Sequence, residues 1–136
     1  MRKNFTIDKS VYILNELQHK YYDLHNNYHF HQCAIIPSNA TIILIWIRLD
    51  REWIQDDQPK EVVINFKKIS FFKLSDNILN DRVVQIQEMG YKMSDDNDLD
   101  WLDNEEHFSD ECHMIFRFEN DEFIRIQAEF AEVKEA

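Results

Sequence analysis

Residues 9–24 read KSVYILNELQHKYYDL, and the conformation assigned to them sets the fold class. Val11, Leu14, Leu17, Tyr21 and Leu24 recur at three- and four-residue spacing, the period that lines up side chains along one face of an α-helix. Asp8 stands just ahead as an N-cap. The spacing predicts a first helix over about residues 9–24.

Downstream the pattern changes to that of strands. Phe30 to Ile36 is apolar and rich in β-formers, and Pro37-Ser38-Asn39 makes a turn after it. Ala40 to Leu49 contains TIILIWI, which shows no polar alternation and predicts a strand buried on both faces. Residues 50–60 are polar, contain Pro59 and read as a loop anchored by Trp53 and Ile54. Val62, Ile64 and Phe66 alternate with more polar neighbours, and Ile69 to Leu74 is a further strand or the same one continued past a bulge.

Ser75 is a good N-cap for a second helix, with Leu79, Val83 and Ile86 on one face and Gly90 as its C-terminal stop. The chain ends in a predicted antiparallel hairpin. Cys112, Met114, Phe116 and Phe118 alternate, Glu119-Asn120-Asp121 turns, and Ile124, Ile126, Ala128 and Phe130 alternate again. Arg117, Arg125 and Glu129 fall on the opposite face, and the final EVKEA is expected to fray. The order α, β, β, β, β, α, β, β predicts an α+β fold in a single domain, 1–136. One mostly antiparallel sheet of about six strands would carry both helices on one side.

Composition narrows the function. Twenty-six acidic against fifteen basic residues give a formal charge of −11, which repels nucleic acid phosphates and anionic membranes unless a basic patch survives. The basic pairs Arg2-Lys3 and Lys67-Lys68 make no such footprint, so neither a nucleic acid nor a membrane is expected as partner. The one glycine, Gly90, excludes the multi-glycine phosphate loops and the GxSxG nucleophile turn. Without a signal-like leader or an apolar run near the roughly 20 residues that cross a bilayer, the chain reads as cytoplasmic, with Cys33 and Cys112 as reduced thiols.

Three groups of residues could carry chemistry. His29, His31 and Cys33 would share one strand face and suit zinc, with Cys112 or His113 completing a tetrahedron. The plainer reading is a strand entrance with ordinary surface and core roles. Asp96, Asp98 and Asp100 alternate as in a calcium loop, but Trp101 and His107 stand where that loop needs glycine and glutamate. Cys112, His113 and His107 offer enzyme chemistry without any motif that carries its own mechanics.

A further reading of the acidic stretch favours binding. Nine carboxylates between Asp95 and Glu111 surround Leu99, Trp101, Leu102 and Phe108. Aromatic anchors in a field of one sign suit capture of a basic protein partner, since charge speeds encounter and buried rings supply hot spots. Asp98, Asp100, Trp101, Asp103, Glu105 and Glu106 are the candidate contact residues, against the ordinary reading of a solvated loop with Trp101 and Leu102 packed on the core. No cofactor is expected, zinc being the alternative.

The segments FHQCAI (30–35), VVINFKKISFFKL (62–74) and the terminal hairpin together resemble small bacterial domains, several of which are regarded as immunity proteins of toxin systems. The resemblance covers about residues 28–74 and 112–130, with Gln32 standing where those domains often carry an acid. It implies a non-catalytic cytoplasmic inhibitor that binds a cognate toxin, and it carries over no catalytic residues. An acidic inhibitor would suit a nuclease toxin, whose basic surface holds phosphates.

Overall fold

A computed structural model describes residues 1–78, 85–119 and 121–136. Among the described residues there are ten strands and no α-helix. They are β1 (Arg2–Lys3), β2 (Phe5–Asp8), β3 (Tyr12–Asn15), β4 (Lys20–Asp23), β5 (Tyr28–Ile36), β6 (Thr41–Arg48), β7 (Glu61–Leu74), β8 (Ile86–Lys92), β9 (His113–Phe118) and β10 (Phe123–Glu135). Single 3-10 turns occupy Pro37–Asn39 and Glu105–His107. The fold is all-β, which corrects the α+β expectation.

The predicted first helix is instead β3, β4 and the turns around them. Together with β2 they form a three-stranded antiparallel sheet. Two facts decide against the helix. Two of its five stripe residues, Leu17 and Tyr21, are exposed, whereas Ile13 and Tyr22, outside the stripe, are fully buried. Val, Ile and Tyr also lose side-chain freedom in a helix and fit a pleated surface better. Lys9 and Ser10 take positive φ (49° and 64°) in the turn before β3, a conformation of primed hairpin turns that glycine or asparagine usually announces. Neither residue is present there to signal it.

The larger sheet runs β5-β6-β7-β10-β9-β8, with β1 parallel to β10. It curls on itself, so that Phe30 of β5 meets Phe118 of β9, and Trp46 of β6 meets Phe116, at ring-centroid distances of 5.2 and 5.4 Å. The small sheet adds Phe5, Ile7, Ile13 and Tyr22 to the same core. T-shaped and tilted ring pairs of this kind add to the area buried.

Strand β7 is one continuous element, as its alternation allowed. Its pairing with β10 shifts by one residue near Ser70, so β7 carries the bulge. Strand β6 differs from expectation: Ile42, Leu44 and Trp46 are buried, but Ile43, Ile45 and Ile47 are only half-buried. The chain covers one face of it.

The predicted second helix is also corrected. Its positions Leu79 and Val83 lie outside the described residues, but Ile86 begins β8 and Gly90 sits mid-strand. A Cβ at Gly90 would come within 2.7 Å of both the Asp103 carbonyl oxygen and Leu102 Cβ. Glycine is needed there for close approach of a second backbone, not to end a helix. The terminal hairpin forms, but the EVKEA tail stays paired: Lys134 and Glu135 lie opposite Val63 and Val62, and Ala136 donates to the Glu61 carbonyl. No helix among the described residues is long and apolar enough to cross a membrane.

Candidate functional site

Strand alternation puts Arg117 and Arg125 on the face of the hairpin opposite its apolar stripe, together with His113 and Ile115. Register adds Glu88, Gly90 and Lys92 from β8, and Phe71 and Lys73 from β7. This outer face is not open to water. Residues 93–103 cross it, leaving Arg117, Arg125, His113 and Lys92 buried.

The two arginines hold that segment by its backbone. The Arg125 guanidinium donates to the carbonyls of Met93 (2.7 Å) and Asp96 (2.9 Å) and to Asp98 Oδ1 (2.7 Å). Arg117 donates to the carbonyls of Asp98 and Asp100, each at 2.8 Å, and pairs with Glu88. Such planar, multi-donor clamps suit arginine, and the charge-assisted bonds are stronger than neutral ones. Burial alone would push the Asp98 carboxyl up, but hydrogen bonds from Lys73 and Arg125 outweigh it and hold the carboxyl below its usual range.

His113 completes the clamp. Arg125 Nε donates to His113 Nδ1 at 2.8 Å, so that nitrogen carries no proton, and Phe71 stacks on the imidazole at 4.6 Å. Burial, and then the Arg125 charge, lower the His113 pKa. At the far end of the segment, Tyr91 and Asp103 exchange both backbone hydrogen bonds at 2.9 Å. Leu102 packs over Gly90.

Between these anchors the segment presents its tip. Trp101 is 76% exposed and Leu99 67%. One face of the Trp101 ring rests over the Lys92 ammonium, 4.9 Å from the ring centroid, a cation–π contact that orients the indole. In the same stretch of chain Asp95, Asp96, Asp100, Glu106 and Glu111 are exposed. Two candidate contact residues serve the fold instead. Asp98 lies between Arg125 and Lys73. Glu105 accepts from Lys3 Nζ (2.5 Å), the Tyr91 hydroxyl (2.6 Å) and the Ile7 amide (3.1 Å). Burial lowers the Lys3 pKa despite that carboxylate. Asp103 contributes through its backbone, which leaves Asp100, Trp101 and Glu106 of the expected set as outward-facing groups.

The histidine–cysteine cluster is divided. The pairing of β5 with β6 shifts between Phe30 and Gln32, so His31 sits in a bulge and parity reverses after it. His29 lies opposite Ile47 on the outer face, whereas Cys33 lies opposite the buried Leu44 and packs on the core. Burial pushes the Cys33 thiol up to about 11. Among the described residues no three His, Cys, Asp or Glu side chains gather as a metal site.

Cys112 is buried, with Ser109 Oγ and Met93 Sδ nearest its sulfur at 3.4 and 3.8 Å. His113 points to the other sheet face and is engaged by Arg125. His107 Nδ1 contacts Asn104 Oδ1 at the exposed 3-10 turn. The three do not converge.

What the sequence could not reveal was the role of Arg117 and Arg125, whose partners lie 12 to 32 residues away. No family model matches this sequence, and neither a curated protein nor a solved structure matches it.

Proposed function

We propose that the protein is a non-catalytic binding module that captures a basic protein partner through the tip of its 93–103 segment. One observation carries this reading: the segment is clamped at both ends by buried arginines and strand pairing, yet two of its large apolar side chains, Trp101 and Leu99, point into solvent. Exposing an indole on a rigid loop is unfavourable in the free protein and favourable in a complex. The loop's order is already established before binding, and the ring supplies apolar contact. Asp95, Asp96, Asp100 and Glu106 set a negative field that would accelerate encounter with a basic surface.

A partner whose basic surface holds phosphates, as a nuclease toxin's does, would be inhibited by such coverage. That is the role implied by the resemblance to immunity domains. The test is to isolate partners from extracts of the source cells on immobilised protein, identify a basic one, and measure its affinity for wild type and for Trp101→Ala. A loss of about 2 kcal/mol or more, roughly thirtyfold in Kd, is expected. Unchanged affinity with an intact fold removes Trp101 from the contact.

A further inference from the structure

The small sheet buries Ile7, Ile13 and Tyr22, so the residues between them face outward. Register aligns Asp8 of β2, Tyr12 of β3 and Asp23 of β4 in one outward row, with Thr6, Leu14 and Tyr21 in the next. Tyr12 and Tyr21 meet edge to face, with ring centroids 6.0 Å apart and planes at 82°. Together with Asp8 and Lys9 they line an open recess of about 400 Å³.

Among the described residues four Phe, Tyr or Trp side chains are exposed: Tyr21, Trp53, Phe71 and Trp101. Three of them have a cation of this chain beside the ring. Arg51, Arg125 and Lys92 lie 5.9, 5.8 and 4.9 Å from the centroids of Trp53, Phe71 and Trp101. Neither Tyr21 nor Tyr12 has such a partner among the described residues. Lys9 is exposed, and its ammonium neither pairs with Asp8 nor lies over either ring. The Asp8 carboxylate takes no hydrogen bond or ion pair among the described residues, whereas Asp23 caps its own turn through the amides of His25 and Asn26.

We propose that the corner formed by Tyr12 and Tyr21, with Asp8 beside it, binds an alkylated ammonium group. Ring faces carry negative potential and attract cations. Asp8 and Asp23, on either side of Tyr12 in the same row, add charge of the same sign. A primary ammonium brings three N–H donors that each need an acceptor, and two of the four lining side chains here are aromatic rings. A trimethylammonium has no proton to satisfy and is the cation that aromatic walls recognise best. Trimethyllysine on a protein and free choline share this chemistry. Lys9 opposes the ligand's charge and the recess is open, so affinity in the millimolar range is expected.

The test is NMR titration of the full chain with choline and with N-acetyl-trimethyllysine amide, each replacing sodium at constant ionic strength. The control is the neutral alcohol in which carbon replaces the choline nitrogen. The Tyr12 and Tyr21 ring signals should move saturably with both cations and not with the alcohol, and the tighter cation identifies the source, protein side chain or small molecule. Tyr21→Leu, at an exposed position, and Asp8→Asn should each weaken binding by about threefold or more, while Lys9→Ala should strengthen it. Wild-type tyrosine signals that stay fixed, or that respond equally to the alcohol, would overturn the proposal without need of any variant. So would shifts confined to Trp101, or folded Tyr21→Leu and Asp8→Asn variants that bind as the wild type does.

Discussion

The outer face of the large sheet has two halves that treat side chains in opposite ways. Over β8, β9 and the start of β10, two arginines, a lysine and a histidine are buried. Over β5, β6 and the start of β7, three isoleucines remain partly in water. Burial therefore follows what the chain lays over each half, not residue type. Where residues 93–103 cross, their carbonyls and Asp98 satisfy the guanidinium donors, and charge can be enclosed without an unmet hydrogen-bonding demand at most positions. Over the other half, the isoleucines of β6 keep part of their surface in water.

The sharpest way to break this contrast is to remove the clamp. Arg125→Ala removes the guanidinium that donates to Asp98 Oδ1 and to the Met93 and Asp96 carbonyls, and truncating one partner of a buried ion pair typically costs about 3–5 kcal/mol. Urea unfolding should show a loss of that order. Hydrogen exchange should show faster exchange at the Tyr91 and Asp103 amides if the segment lifts as a unit.

A smaller effect is expected from closing the gap that lets the segment lie down. Gly90→Ala sets a methyl group within 2.7 Å of the Asp103 carbonyl oxygen and Leu102 Cβ, and overpacking of this kind costs about 1–3 kcal/mol. Thermal unfolding measures it. A neutral or stabilising result would mean that residues 102–103 do not approach β8 as closely as described.

Acid should loosen the covered half through His113. Its folded pKa is lowered, by burial and then by Arg125, so the unfolded state binds protons first. Stability from this group is complete above the unfolded value of about 6.5 and declines as pH falls below it toward the folded pKa. His29 on β5 acts in the same direction, through burial and then His31. Asp98 is lost only at more acidic pH, because its carboxyl is held below the usual range. His113→Asn retains an acceptor for Arg125 and should flatten, without abolishing, the decline that sets in below about pH 6.5. An unchanged slope would remove His113 from the linkage.

The smallest effect belongs to the exposed tip. Trp101→Ala removes one cation–π contact with Lys92 and little buried surface, so stability should change by less than about 1 kcal/mol. A larger loss would show that the indole supports the fold, and would weaken its assignment to a binding surface.

How much of this was legible follows from the range of the interactions. Strands β5 and β6 were readable as short runs of apolar β-formers, and β7 and the terminal hairpin by alternation, present in Val62, Ile64 and Phe66 or Ile124 and Ile126; both are local patterns that need no knowledge of any partner. The segment 9–24 was not, because Val11, Leu14, Leu17, Tyr21 and Leu24 fit a helical period while the turn at Lys9-Ser10 has no glycine to announce it. Gly90 was read as a helix stop because the backbone that requires it, Leu102-Asp103, is remote in sequence. The bulge at His31 reversed the parity on which a shared His29, His31 and Cys33 face depended. Asp98 and Glu105 looked like surface acids until Arg125, Lys73 and Lys3 were placed beside them.

By itself the sequence determined the apolar runs of β5 and β6, the alternation of β7, β9 and β10, the acidity of the 95–111 segment and the presence in it of large apolar side chains. These depend on residue type and near-neighbour spacing. Only the tertiary structure decided that Arg117 and Arg125 are buried, that Asp98 and Glu105 face inward while Trp101 faces out, and that Ile43, Ile45 and Ile47 are only half-buried. Each depends on which distant backbone lies over a given sheet face. Hydrogen-bond satisfaction fixes that once the strands have paired, and no local pattern of residues encodes it.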